Sequence, residues 1–157
     1  MSDQAVVVPD TLRQVAGRIR AECFMVCDGA HAVEGKLYIL GGGWDRLILS
    51  NFGQEQVINL VLKLLIPWMD TNQRLPFKLD IVDENGIPAL PEPIGGQLEV
   101  GRPSGYTADE AIPFMVPIGV KLLFDRPKRL IFTLYVNDAE VASTSLRAIP
   151  PPGARLA

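Results

Sequence analysis

From Ile112 to Phe124 every even-numbered residue is apolar: Ile112, Phe114, Val116, Ile118, Val120, Leu122 and Phe124. A period of two sends alternate side chains to opposite faces of an extended chain, whereas an amphipathic helix needs a period of 3.6. The pattern recurs in the even positions of Val57–Ile66 (Ile58, Leu60, Leu62, Leu64, Ile66), in the odd positions of Leu75–Ile81, and in Leu130, Phe132, Leu134 and Val136. Four segments with one apolar face each point to an all-β domain whose faces meet around a single core.

Turn chemistry separates the segments. Val33-Glu34-Gly35 joins a strand at about Glu22–His31 to one at Lys36–Gly41, and Asp83-Glu84-Asn85-Gly86 offers an Asn-Gly turn. Asp125-Arg126-Pro127-Lys128 interrupts the ladder at a residue without an N–H, and Val136-Asn137-Asp138-Ala139 is the tip of a last hairpin that returns over Glu140–Ala148. Short strands at this spacing predict a two-sheet antiparallel sandwich or a barrel, with eight or nine strands. Two stretches depart from the pattern. Asp10 is placed to cap a short N-terminal helix with Leu12, Val15, Ala16 and Ile19 on one stripe. Gly86–Thr107, with four prolines and five glycines, is expected to be a long loop around a short strand at Gln97–Val100. The chain divides into an N-terminal extension (1–20), a β domain (21–149) and a proline-rich tail (150–157).

A chain of 157 residues buries roughly 70% of the surface exposed on unfolding, enough for one core without metals or disulfides. Its 15 Lys and Arg against 18 Asp and Glu give a net charge of −3, interspersed along the chain. That argues against nucleic acid as a partner, because phosphate recognition needs a concentrated positive footprint. The longest apolar run, Leu60–Trp68, contains Lys63 and is far short of the ~20 residues of a membrane helix, so no membrane is expected as a partner. Met1–Pro9 has no basic region before Val6-Val7-Val8, and does not read as a secretion signal. Cys23 and Cys27 on one strand would lie about 13 Å apart, too far to pair. Unpaired thiols suit a cytoplasmic location.

No constellation of catalytic residues emerges, and the chain is expected not to be an enzyme. Cys27, Asp28 and His31 contain the elements of a nucleophilic site, but alternation puts Asp28 on the face opposite Cys27, and His31 is the one histidine. One His and two separated Cys cannot build a tetrahedral zinc site. Asp80, Asp83, Glu84 and Asn85 could offer oxygens to calcium, but an ordinary polar hairpin turn accounts for them more simply. Gly41-Gly42-Gly43 lacks the Lys and the following helix of a phosphate loop, and reads as a bend between strands. Ser143-Thr144-Ser145 and Arg126-Pro127-Lys128-Arg129 read as a strand face and a basic turn. No metal or cofactor is expected.

The segments Ala21-Glu22-Cys23-Phe24-Met25-Val26-Cys27-Asp28 and Gly35-Lys36-Leu37-Tyr38-Ile39-Leu40-Gly41-Gly42-Gly43-Trp44-Asp45-Arg46 resemble those of a family of small bacterial proteins. Leu79–Gly86 and the hairpin at Phe132–Asp138 fit the same family, so the resemblance covers roughly residues 21–149. It implies an immunoglobulin-like β-sandwich, a domain of unknown function, and carries over no catalytic residue.

The outward faces carry the remaining signal. With the even positions of 57–66 and 130–136 inside, Val57, Val61, Leu65, Ile131 and Tyr135 face out. Leu37, Ile39, Leu47 and Leu49 are expected to face in, leaving Tyr38, Leu40, Trp44 and Ile48 outside. A sandwich normally alternates apolar-in with polar-out. Such faces need cover from the chain's own 86–107 loop or N-terminal segment, from a second copy, or from another partner. The expectation is therefore a non-enzymatic binding or assembly module, with Trp44, Trp68, Arg102 and Tyr106 as loop recognition residues. A small-ligand or carbohydrate-binding domain, using Trp44, Trp68 and Tyr106 as stacking platforms, is the alternative.

Overall fold

The computed structural model describes residues 17–155. Nine strands form two sheets: β1 (Arg20–Val33), β2 (Lys36–Gly42), β3 (Arg46–Ile48), β4 (Gln54–Ile66), β5 (Arg74–Asp83), β6 (Ile94–Glu99), β7 (Ile112–Phe124), β8 (Lys128–Val136) and β9 (Ala139–Ile149). Among the described residues the one helical element is a 3₁₀ turn at Trp68–Asp70, and no helix is long and apolar enough to cross a membrane. The expected N-terminal helix lies largely outside the described residues. Gly17 and Arg18 form a turn and a bend, and the strand has begun by Arg20.

One sheet has the order β2-β1-β4-β7 and the other β3-β9-β8-β5-β6. The five-stranded sheet curls into a half-barrel. The alternating segments are its framework: β4 pairs with β7 without a break from Gln54↔Phe124 to Ile66↔Ile112, so the two apolar rows lie side by side. β5 and β8 pair with Leu79 opposite Leu134 and Ile81 opposite Phe132. The even row of β4 and that of β8 are sealed from solvent, and they meet in two clusters. One is built around Ile58, Leu60, Leu122, Phe124 and Phe132, the other around Leu62, Leu64, Leu75, Leu98 and Ile112.

Positive φ angles fall where the turn signals stand. Glu34 (49°) and Gly35 (72°) close the first hairpin, and Asn137 (51°) and Asp138 (61°) close the last. Two consecutive residues in the left-handed region make the turn that matches the twist of a two-residue hairpin. At Asp83–Gly86 only Gly86 is left-handed, at 78°. Gly41 (54°) lies beneath the Asp28 side chain, so near that a Cβ would overlap the carboxylate, and this explains a glycine run at the end of β2.

Two expectations need correction. The sheets are not wholly antiparallel, because β3 pairs with β9 in parallel, from Arg46↔Arg147 to Ile48↔Ile149. The chain passes from one sheet to the other after β2, and so enters this edge in the direction of β9. Trp44, expected outside, is partly buried against the core, and its indole Nε1 has no hydrogen-bond partner among the described residues.

Phe132 is fully enclosed in the larger cluster. Phe132→Ala should cost about 3–5 kcal/mol, a large share of a domain's total stability. Urea denaturation measures it, and a loss below ~1 kcal/mol would contradict the packing described.

Candidate functional site

Cross-strand register assigns the outward face of the four-stranded sheet. Opposed residues share a face, so Met25, Val61 and Pro117 form one outward row, and Cys27, Asn59 and Gly119 the next. Cys23, Lys63 and Met115 lie on the other side of the Met25 row. The ladder between β1 and β4 ends at Cys27↔Asn59. There the Asn59 side-chain amide donates to the Asp28 carbonyl at 3.0 Å, replacing the next rung. Beyond it β1 pairs only with β2, and the two strands continue as a hairpin arm. The arm exposes Val33, Tyr38, Ile39 and Leu40.

The same register brings Val33, Tyr38 and Leu40 onto the outward face with Val57 of β4 and Leu123 of β7. All five are large, apolar and substantially exposed, from 48% for Leu123 to 70% for Leu40. Lys121 and Glu55 stand opposite Val57 and Leu123 on the β4–β7 ladder. Apolar and polar residues therefore alternate on this face at the arm end of the sheet: Glu55 lies between Leu123 and the arm, and His31 and Lys36 stand opposite Tyr38 and Val33.

The predicted surface residues separate accordingly. Val57 is 59% exposed, but Val61 is fully enclosed between its cross-strand neighbours Met25 and Pro117, which corrects its place as an exposed contact. Leu65 is half-buried. On the other sheet Ile131 and Tyr135 are also half-buried. Ile131 stands between Val82 and Ser145, and Tyr135 has the Lys78 ammonium 4.7 Å from its ring centroid. Lys78 also pairs with Asp80 at 3.1 Å. Thr133, Ser143 and Asp80 share that face. The polar-out pattern expected of a half-exposed sheet thus holds for the five-stranded sheet and fails for the four-stranded one.

The loop candidates act mainly on one another and on the core. The Arg102 guanidinium stacks 4.2 Å from the Trp68 ring and donates to Thr71 Oγ1 at 2.7 Å and to the Trp68 carbonyl at 3.1 Å. Trp68 and Tyr106 pack against the smaller core cluster, and Trp44 against the larger. From Ile87 to Glu99 the chain runs along the edge of β5. Asp83 N–H donates to the Ile87 carbonyl and Ala89 N–H to the Ile81 carbonyl, Ala89 and Leu90 enter the core, and β6 then continues on the same edge.

The acidic turn is held by its own hydrogen bonds. One Asp83 carboxylate oxygen accepts from Asn85 N–H at 2.8 Å and Ile87 N–H at 3.0 Å, and the other from Arg126 at 3.1 Å. The Ile87 amide, helped by that of Asn85 and by Arg126, holds this carboxyl below its usual range against the opposing pull of burial. Asp80 is engaged with Lys78. Among the described residues no three His, Cys, Asp or Glu side chains are grouped to hold a metal ion. Cys23 and Cys27 are free thiols on the outward face, both pushed up chiefly by burial, and Cys27 is almost fully covered. His31 is exposed on the arm, four residues along the strand from Cys27, and two such positions are about 13 Å apart.

The chain belongs to a family of unknown function, DUF6941, whose model matches residues 22–149. No curated protein matches it. Among solved structures it is similar to the Pseudomonas fluorescens alkylpurine DNA glycosylase AlkC bound to DNA containing an abasic site analog. That likeness has 15% identity and a TM-score of 0.45, and covers 83% of this chain but only 30% of the glycosylase.

The sequence alone exposes most of the outward patch, since Val57, Tyr38 and Leu40 follow from alternation. Val33 and Leu123 are missed there because only register places them on the same face.

Two measurements test this geometry. Asp83 has a depressed carboxyl pKa in the fold, so its contribution is complete above its unfolded value of about 3.9. It disappears as pH falls through the lower folded value, so the melting temperature of the wild type should drop in that acid range, and Asp83→Asn should flatten the drop. Thiolate is the reactive form of cysteine, so a neutral-pH maleimide should label Cys27 only after denaturation. Rapid native labelling of Cys27 would contradict its burial.

Proposed function

We propose that the chain is a non-enzymatic association module whose contact surface is the arm end of the outward face of the four-stranded sheet. The observation that carries this is the gathering of Val33, Tyr38, Leu40, Val57 and Leu123 on one face by register. Monomers rarely leave contiguous apolar patches open to water, and apolar anchors at the centre of a patch supply most binding energy. The simplest partner is a second copy related by a two-fold axis, which would bring the same patch to itself. A different protein with an apolar face is the other form of the same reading. Neither nucleic acid nor membrane is a partner in it, in keeping with the interspersed charge. The unpaired thiols fit a reducing, cytoplasmic setting.

The framework for this surface is read as an immunoglobulin-like sandwich. Support comes from the strand neighbours: β5-β8-β9 follow the C-F-G order of such sandwiches, and β1-β4-β7 the A-B-E order of the facing sheet.

Light scattering over a range of concentrations tests the reading. The expected result is a mass above 17 kDa that rises with concentration. A folded Leu40→Glu, Val57→Glu double variant should return to the monomer, and Ile131→Glu on the other sheet should not. A monomer at every concentration, with no partner retained through Leu40 and Val57, would overturn it.

A further inference from the structure

Along one side of the molecule, inward-facing residues are not sealed. Phe77, Ile94, Phe114, Val116 and Ile118 point between the sheets by register, yet remain half-buried, whereas Ile58, Leu122, Phe124 and Phe132 are closed off. Between them lies a cleft of about 440 Å³. Its walls are Leu62 and Leu64 of β4, Phe114, Val116 and Ile118 of β7, and the inner face of β5, β6 and β8. It opens between β6 and β7, the edge strands of the two sheets, which share no ladder.

The opening has a local cause. Further along the β5 edge, Ala89 and Leu90 fill the gap. Over the cleft, β6 has Gly95-Gly96, and a Cβ at Gly96 would stand 2.9 Å from the Phe77 ring. Phe77 therefore occupies the place of a β6 side chain, and nothing larger can be carried there. Protein interiors hold few voids larger than a water molecule, and this volume falls in the ~300–1,000 Å³ range of small-molecule sites.

The polar groups at the mouth narrow the occupant. The Pro76 carbonyl accepts from Asn137 on the β8 side. The rungs toward β6 are therefore made by the alternate residues Leu75, Phe77 and Leu79 with Leu98, Gly96 and Ile94. Gln97 and Glu99 consequently turn their main-chain N–H and C=O groups to the free edge, where both residues line the cleft. Those two are the only polar lining residues among the described ones.

We propose that this cleft binds a single apolar chain ending in an uncharged polar group, a long-chain alcohol being the minimal form. The apolar walls take the chain, and the free main-chain groups of Gln97 and Glu99 give a hydroxyl both an acceptor and a donor. Among the described residues no cation lines the cleft to receive a carboxylate or phosphate head. An extended peptide adding to β6 would use the same edge, but the depth of the apolar cavity favours a chain that enters it end-on. The site is separate from the outward patch, being enclosed by the other face of β4 and β7.

Fluorescence titration with N-phenyl-1-naphthylamine, an uncharged apolar probe, tests the proposal. Saturable binding is expected, displaced by 1-dodecanol and at least tenfold less readily by dodecanoate. Val116→Trp and, separately, Ile118→Phe fill the cleft, and should weaken the probe at least tenfold while keeping a cooperative melt. The Leu40→Glu, Val57→Glu variant should bind it as the wild type does. Absence of saturable binding, displacement by dodecanoate as readily as by dodecanol, or undiminished binding by a folded filled-cleft variant would overturn the proposal. So would loss of binding in the outward-patch variant alone. Displacement by an alternating apolar peptide but not by dodecanol would overturn it in favour of strand addition.

Discussion

The register of β4 against β7 is the constraint on which the rest of this fold depends. Thirteen consecutive pairs set the even rows of both strands against the same interior. Because the side-chain period is two, a shift by one residue would carry Ile58, Leu60, Leu62 and Leu64 to the outside and bring Lys63 in. Lys63 is instead held on the outer face by an ion pair with Glu22. Burial of one face thus determines what is left on the other. The outward patch and the inter-sheet cleft are the two sides of a single pair of strands.

The two apolar features arise differently. The patch exists because the β1–β2 hairpin outlasts its pairing with β4, so its side chains lose a neighbouring strand as well as a covering layer. The cleft exists because the segment that closes the opposite edge changes character along its length. It supplies Ala89 and Leu90 to the core at one end, and glycine at the other. A long strand and a short one have each left apolar surface that the other described residues do not cover.

Much of this was legible before any coordinates. The rows of 57–66, 75–81, 112–124 and 130–136 are core rows, and the hairpins at Glu34-Gly35 and Asn137-Asp138 form where their residue types tolerate positive φ. What alternation cannot supply is lateral position. Val61 and Val57 occupy the same face of the same strand, but Val61 is flanked by Met25 and Pro117, and Val57 has only Lys121 on one ladder. Exposure therefore follows neighbours three strands away in sequence terms. Trp44 illustrates the same limit, since it follows a left-handed glycine, Gly43, that resets the alternation of the preceding strand. The 86–107 segment was hidden by its prolines, which break strand character while the chain still follows the edge of β5. The cleft had no sequence signature, because it lies between β6 and β7, edge strands of different sheets that no ladder joins.

The parallel pairing of β3 with β9 has a consequence for how the chain reaches this state. Residues 46–48 find their partners at 147–149, about a hundred residues later. On a ribosome, β3 emerges with its edge position still lacking a neighbour, and it stays so until almost the whole domain has been synthesised. Topologies dominated by such distant pairings fold slowly, commonly over milliseconds to seconds. The first sheet can assemble its hairpin early, but the second is completed only by the last strand to be made. A chain ending before Arg147 would therefore lack every partner of β3 and leave that strand without its ladder.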